Sequence, residues 1–150
     1  MLLLEPEAAG DGWRVPGGGM EMDESLIDCA VREMMEETGI PIKVGNVAFL
    51  REFVIPKYCV IPDESGTTYS MEVFLYATPS TEHIEARREN PQRPMAYWIP
   101  FAAVAQLPLW PKELKTLALW LAAGNVPLGV PSIVSQLDSP DAPPPDVKFG

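Results

Sequence analysis

The feature that most constrains this chain is a glycine turn that leads directly into a helix-forming segment, between Gly17 and Ile40. The three glycines from Gly17 to Gly19 supply the turn, and the residues after them place apolar and charged side chains at helical spacing. Gly39 can adopt the left-handed conformation that ends many helices, and Pro41 prevents the helix from continuing. The sequence therefore predicts a turn followed by one helix that ends at Gly39.

The predicted helix carries three glutamates, Glu33, Glu36 and Glu37, at positions i, i+3 and i+4. Because an α-helix turns by about 100° per residue, these side chains share a sector about 100° wide. Like charges at this spacing repel on an isolated helix by a few tenths of a kcal/mol per pair. A divalent cation bound by hard oxygen ligands would offset this repulsion. The alternative is a solvated face, since Arg32 forms i,i+4 pairs of opposite sign with Asp28 and Glu36.

The apolar residues of the segment fall on an adjoining sector of the helix: Ile27, Ala30, Val31 and Met34. This pattern predicts that they face the core and that the carboxylates lie along its border. Glu24 lies near the start of the helix, where its negative charge interacts favourably with the positive end of the helix dipole.

The turn and the helix together resemble the signature sequence of the Nudix hydrolases, the Nudix box. Every specified position matches, namely Gly18, Glu24, Arg32, Glu33, Met34, Glu36, Glu37, Gly39 and Ile40. The preceding stretch Trp13-Arg14-Val15-Pro16-Gly17-Gly18 also resembles the short strand and Pro-Gly-Gly turn of that family. Seven positions each require one residue type, so at an average usage of roughly 6% a chance match is on the order of 10⁻⁹ per starting point.

The resemblance implies a site for Mg²⁺ or Mn²⁺ on the predicted helix. Glu33 and Glu37 would be the principal metal ligands and Glu36 a further ligand, with Glu33 or a loop acid as the base. A main-chain carbonyl of the turn ligates the metal in this family. Gly17 matches that donor best, and Gly18 is second.

The resemblance also gives Arg32 and Glu24 supporting roles, in which Arg32 orients the carboxylates and Glu24 positions Arg32. The implied activity is hydrolysis of a pyrophosphate bond in a nucleoside diphosphate linked to another moiety, so the partner is a phosphorylated nucleotide-type small molecule. Which derivative it is stays open. One alternative is a Nudix-fold module that binds nucleotide without turnover. Another is an interaction protein in which the acidic helix is purely structural.

The implied fold is an α/β/α sandwich with a curved mixed β-sheet, here lacking the usual first strand. The first predicted strand, Met1 to Glu5, corresponds to the second strand of the family. A shortened chain or later start site, an edge filled by a later segment, or an edge filled by a second subunit would each account for this difference. Because an uncovered sheet edge invites pairing, we expect compensation by the tail or a homodimer.

The rest of the chain divides into predicted strands, helices and a tail. A short strand leading into a longer one is expected between Ile42 and Ile61, with further strands at Thr67 to Thr78 and Ala96 to Pro100. Helical segments are expected at Phe101 to Leu107 and Lys112 to Ala123. Residues 1–124 are predicted to form the domain. Residues 125–150, which contain many prolines, are predicted to be an extended or disordered tail that docks on the domain or on a partner subunit.

The loop from Pro79 to Pro94 is the place where many Nudix hydrolases carry a further acid, six residues before a tryptophan of the next strand. Gln92 occupies that position here, so the expected carboxylate is missing. Glu82, Glu85 and Glu89 are the loop acids that could take its place, and the alternative for each is a solvated side chain.

Four residues are candidates for contacts with the substrate: Arg51, Tyr58, Glu72 and Glu89. Arg51 and Tyr58 could meet a phosphate or a base from one predicted strand, and Glu72 could face the cleft from the next. The alternative for Arg51 and Tyr58 is an ordinary surface position, and for Glu72 a solvated strand carboxylate.

Composition limits the classes of partner and the compartment. The formal charge of −10, with 11 Lys and Arg, argues against nonspecific binding to nucleic acid or to an anionic membrane. Cys29 and Cys59 show no disulfide framework spacing and are expected to be reduced thiols of a cytoplasmic protein. No apolar run approaches the roughly 18 residues of a membrane span.

Overall fold

The computed structural model describes residues 1–55, 68–82, 84–86, 93–125 and 132–136. The chain divides into two compact units, unit 1 with Met1–Gly45 and Ala77–Asn125, and unit 2 with Asn46–Tyr76 and Val126–Gly150. The elements in chain order are β1 (Leu2–Leu4), α1 (Leu26–Thr38), β2 (Ile42–Ile55), β3 (Thr68–Pro79), β4 (Ala96–Trp98), α2 (Phe101–Val104), α3 (Glu113–Ala122) and β5 (Ser132–Gln136). No helix in the described ranges is long and apolar enough to cross a membrane.

In unit 1, β1 and β4 pair in antiparallel register, with Leu2 opposite Trp98 and Leu4 opposite Ala96. The segment before the glycine turn joins β1 through a bridge between Leu4 and Arg14, whose main-chain groups exchange hydrogen bonds of 2.7 and 3.3 Å. The main chain of Arg14 is therefore fixed against β1.

The bounds of α1 follow from its two caps. The Ser25 hydroxyl accepts a hydrogen bond from the Asp28 amide over 3.1 Å, which satisfies a helix N-terminal donor. At the other end Gly39 has φ 68° and ψ 12°, and its amide donates to the Met35 carbonyl over 2.8 Å. The left-handed conformation that the sequence predicted for Gly39 is confirmed.

The predicted core sector of α1 is wrong at two positions. Ile27 is 58% exposed and Val31 is 37% exposed, whereas Glu33 and Glu37 are buried together with Cys29. The Gly17 amide donates a hydrogen bond to Glu37 and Arg32 donates one to Glu33, so this stripe can face inward although it is acidic. Met34 of the predicted apolar set does pack partly buried against the core cluster of Leu2, Leu4, Ile40 and Ala96.

The helix α3 buries three of its four predicted apolar residues, Leu114, Leu117 and Ala118, and it packs against α2. The fourth, Leu121, is half-buried. This helix confirms the amphipathic pattern expected between Lys112 and Ala123.

Unit 2 contains β5 and most of β2 and β3, and the strand order is β3-β2-β5. β2 and β5 are parallel, with Phe49 opposite Ser132 and Phe53 opposite Gln136. Phe49 stacks on Phe74 with ring centroids 4.2 Å apart. β2 is continuous from Ile42 to Ile55, so the short strand expected before Gly45-Asn46 does not exist as a separate element. These two residues are extended despite their weak strand propensity.

The strand β5 lies within the segment that was expected to form a tail. The sequence analysis expected this segment to dock on the domain or on a partner subunit. Residues 132–136 pair with β2 as a parallel strand. The limits of the domain at residues 124 and 125 remain predictions. Parallel β2–β5 pairing, antiparallel β1–β4 pairing and three helices among the described residues confirm the predicted α/β class.

Candidate active site

The glycine turn lies against the buried carboxylates of α1. The amide of Gly17 donates to Oε2 of Glu37 over 2.8 Å. A Cβ at Gly18 would overlap the carboxylate of Glu33, lying 2.8 Å from Oε2 and closer to the other oxygen. The turn can therefore approach Glu33 only because residue 18 has no side chain.

Arg32 fixes the position of Glu33. Its Nε and Nη2 donate to the two carboxylate oxygens of Glu24 over 2.8 and 2.9 Å, and its Nη1 donates to Oε1 of Glu33 over 2.8 Å. Nη2 also donates to the Gly19 carbonyl over 3.0 Å. Bidentate and charge-assisted bonds of this kind are among the stronger hydrogen bonds in proteins. The hydrogen bonds of Arg32 thus connect α1, the glycine turn and Glu24.

These contacts change the pKa of both partners. Hydrogen bonds from Arg32, followed by the backbone amide of Glu21, lower the pKa of Glu24 to about 2. Hydrogen bonds to Glu24 and Glu33 raise the pKa of the Arg32 guanidinium. Both groups are therefore charged throughout the neutral range.

Glu37 combines deep burial with several cationic neighbours. Its side chain is 4% exposed, and this burial raises the pKa of its carboxyl group. The Gly17 amide, Arg14 and Arg93 act in the opposite direction, while the charge of Glu33 raises the pKa further. The guanidinium groups of Arg14 and Arg93 lie 3.7 and 3.6 Å from Oε1 of Glu37.

Glu36 is the most accessible of the three glutamates, with a side chain that is 44% exposed. Arg32 Nη1 lies 3.5 Å from its Oε1, and Arg93 Nη2 lies 4.0 Å from its Oε2. The exposed position leaves this carboxylate open to solvent at the edge of the site.

Cys29 lies close to the glycine turn and to Arg32. Its Sγ lies 3.9 Å from the Gly18 carbonyl and 3.7 Å from Nη2 of Arg32, and it is a free cysteine. Burial raises the pKa of this thiol. The reduced state expected for Cys29 and Cys59 stays a prediction, and Cys59 lies outside the described residues.

The structure places the predicted site residues in two groups. Unit 1 brings together the turn residue Gly17 and the helix residues Arg32, Glu33, Glu36 and Glu37. The loop acids Glu82 and Glu85 belong to the same unit and are exposed.

Arg51 and Glu72 form a second group inside unit 2, where Nη1 of Arg51 donates to Oε2 of Glu72 over 2.9 Å. The Arg51 side chain is 1% exposed, so the surface alternative for this residue is wrong. Its charge is satisfied by ion pairing within the unit. The candidates Tyr58 and Glu89 lie outside the described residues, as does Gln92.

Sequence reasoning missed two residues of the site, Arg14 and Arg93. Arg14 lies in the Trp13 to Gly18 stretch, which was interpreted only as a strand and turn. Arg93 directly follows Gln92, the position at which the resemblance implies a carboxylate, and its positive charge was not considered. A search for cations flanking the turn and the loop could have found both.

The donor set suits a hard divalent cation. Carboxylate oxygens of Glu33 and Glu37 and main-chain oxygens of the turn are ligands that Mg²⁺ and Mn²⁺ prefer. Within the described ranges, no three acidic, His or Cys side chains form a group that could hold a metal ion. The carboxylates of Glu36 and Glu37 are instead contacted by arginines. The residues therefore fit the metal in kind, with Glu36 as the most accessible of the three carboxylates.

The NUDIX domain family profile matches residues 1–121. The match covers more than half of the chain, so the chain belongs to the NUDIX domain family. Within 47 residues the chain is 45% identical to diphosphoinositol polyphosphate phosphohydrolase 3-alpha from Mus musculus, which is 31% of this chain and 29% of that relative. The match thus spans less than a third of the relative's length.

Solved structures of similar fold cover more of the chain. A MutT protein from Bacillus halodurans matches with a TM-score of 0.57 and 24% identity, over 95% of this chain and 84% of the other. An ADP-ribose pyrophosphatase from Streptococcus suis matches with a TM-score of 0.55 and 18% identity, over 88% and 87% of the two chains. These similarities confirm the predicted Nudix-like fold.

Proposed function

We propose that this chain hydrolyses a pyrophosphate bond in a nucleoside diphosphate linked to another moiety, with Mg²⁺ or Mn²⁺ as cofactor. The observation that supports this best is the burial of Glu33 and Glu37 against the glycine turn, with Arg32 bonded to Glu33. A helix that was only structural would gain nothing from burying two like charges on neighbouring turns.

The chemistry of the substrate matches this arrangement. A pyrophosphate is strongly anionic, and a bound divalent cation supplies charge neutralisation and an activated water molecule. Glu33, Glu36 and Glu37 would hold the cation together with the Gly17 carbonyl. Arg32 keeps Glu33 in place, and Glu33 is the proposed base, with a loop acid such as Glu85 as the other candidate.

The names of the similar proteins define a useful substrate panel. One relative is a diphosphoinositol polyphosphate phosphohydrolase, and one fold neighbour is an ADP-ribose pyrophosphatase. We therefore include ADP-ribose, nucleotide sugars, dinucleoside polyphosphates, oxidised nucleoside triphosphates and diphosphoinositol polyphosphates as candidates. The described residues carry no motif that separates them.

The test is a hydrolysis screen over this panel with Mg²⁺ and then Mn²⁺, in which the products are identified by mass spectrometry. Turnover should require the metal and should stop when EDTA is added. The Glu37→Gln protein, purified in parallel, controls for contaminating phosphatases. Absence of metal-dependent turnover on every compound would overturn the proposal.

A second candidate is a Nudix-fold module that binds nucleotide without turnover. It is favoured by the arginine contacts at Glu36 and Glu37, which occupy carboxylates that catalysis would use. Under this alternative, a nucleotide should raise the melting temperature while no product forms. A metal-dependent rise in melting temperature would disfavour the third possibility, a purely structural acidic helix.

Three further proposals concern partners and location. The first is a homodimer, which light scattering would detect. The second is a cytoplasmic location, which accords with the absence of a disulfide at Cys29. The formal charge of −10 disfavours nonspecific nucleic-acid binding, which a shift assay at low salt would test.

A further inference from the structure

Arg14 and Arg93 differ from Arg32 in how they contact the carboxylates. Arg32 makes hydrogen bonds of 2.8 to 2.9 Å to Glu24 and Glu33 and is 23% exposed. Arg14 and Arg93 reach Oε1 of Glu37 at 3.7 and 3.6 Å, and their side chains are 32% and 43% exposed. Two guanidinium groups from distant parts of the chain therefore converge on one buried oxygen.

The main chain of Arg14 is held while its head group is only weakly restrained. Two main-chain hydrogen bonds to Leu4 fix the residue against β1. The guanidinium donates to Oε1 of Glu7 over 2.7 Å, but Glu7 is 59% exposed. Because an exposed ion pair contributes little to stability, an anionic ligand can compete with it.

Binding of a divalent cation at Glu37 would place its charge beside both guanidinium groups. Like charges in close proximity near a protein surface repel each other. An anion that contacts the cation and the arginines together removes this repulsion. Guanidinium groups bind phosphate oxygens through two parallel hydrogen bonds, which suits them to that anion.

We propose that Arg14 and Arg93 form a phosphate clamp beside Glu37, and that the clamp makes the binding of metal and of a pyrophosphate group synergistic. Without metal, the two guanidinium groups neutralise Glu37. With metal, they bind phosphoryl oxygens of the ligand. The clamp rests on the proposed function because its ligand is the pyrophosphate group of the substrate.

The test uses the full chain, Mn²⁺ and methylenediphosphonate, a pyrophosphate analogue that is not hydrolysed. Isothermal titration calorimetry measures the Kd of Mn²⁺ with and without the analogue. The wild-type Kd should fall by about 10-fold when the analogue is present, within the usual range of coupling between ligands. By reciprocity, Mn²⁺ should tighten binding of the analogue by the same factor.

The Arg14→Gln and Arg93→Gln double variant should lose most of this coupling and should bind Mn²⁺ alone more tightly than the wild type. The single variants should lie between the two proteins, and lysine at either position should restore part of the coupling. Circular dichroism verifies the fold of each variant. Lys115→Gln, which removes one exposed positive charge from α3, should retain the wild-type coupling.

Glu7→Gln provides a change in the opposite direction, because it removes the carboxylate that competes for Arg14. It should tighten binding of the analogue. Full coupling in the double variant, or no coupling in the wild type, would overturn the clamp. If the wild type hydrolyses a substrate but the double variant keeps full coupling, the clamp is overturned and the proposed hydrolysis stands. If the wild type shows the coupling but hydrolyses no substrate, the proposed hydrolysis is overturned and the clamp stands.

Discussion

The amide of Gly17 donates to Oε2 of Glu37 over 2.8 Å, a contact between residues 20 positions apart in the chain. It joins the glycine turn to the last turn of α1 and gives a buried carboxylate a fixed orientation. Burial raises the pKa of Glu37, and the hydrogen bond acts against this effect. The turn and the helix therefore form one structural element of the site.

Replacing Glu37 with glutamine should leave the fold intact and reduce turnover by roughly 10², the scale expected for loss of one important electrostatic contact. The amide oxygen of glutamine can still accept from Gly17, so the turn keeps its anchor. Circular dichroism and a phosphate-release assay measure the two effects. Glu21→Gln, which changes an exposed acid in the same way, should be nearly as active as wild type. Undiminished turnover in Glu37→Gln would exclude Glu37 as a metal ligand.

Replacing Gly18 with alanine should displace the carboxylate of Glu33, because the new Cβ would overlap it. A displacement of about 1 Å at a catalytic group can reduce turnover by about 10². Gly19→Ala is the matched control, since a Cβ there meets nothing within 4 Å. Turnover and melting temperature should be measured for both variants. Equal activities for the two would show that the close approach at Gly18 has no catalytic consequence.

The helix, its end and the grouping of its glutamates could be predicted from the sequence, because these properties are local. The spacing of residues along a helix determines which of them share a sector. Gly39, followed by Pro41, favours the left-handed conformation that ends the helix. The α/β class was implied by the resemblance of the turn and helix to the Nudix box, which is itself a local feature of the sequence.

The buried side of α1 could not be predicted, because it depends on a contact between distant segments. Hydrophobicity favoured burial of Ile27 and Val31, but the glycine turn packs against Glu33 and Glu37 instead. The approach of Arg93 to this stripe is likewise nonlocal and leaves no periodic signal in the sequence.

The exposure of Ile27 on α1 can be tested by making the same substitution there and at Ile40, a buried residue that follows the helix. Ile40→Ala should cost about 2–5 kcal/mol of unfolding free energy, because Ile40 is 1% exposed and belongs to the core cluster of unit 1. Ile27→Ala should change it by no more than about 0.5 kcal/mol, since that side chain is largely exposed. Urea unfolding monitored by circular dichroism compares the two. A larger loss at Ile27 would restore the original assignment of the core face.

The ion pair of Glu24 and Arg32 predicts a pH dependence of stability. The pKa of Glu24 is lowered from 4.5 to about 2 in the folded chain, so the unfolded chain binds a proton first as the pH falls. The contribution of Glu24 is therefore complete above about pH 5 and is lost progressively down to about pH 2. Urea unfolding at pH 7 and near pH 3, as reference conditions on either side of this window, should show a larger loss for wild type than for Glu24→Gln. The glutamine variant keeps a side chain of the same shape but has no carboxyl group to titrate, so other acids contribute equally to both proteins. Equal losses in the two proteins would mean that Glu24 has the same pKa in the folded and unfolded chains and that Arg32 does not hold it as a carboxylate.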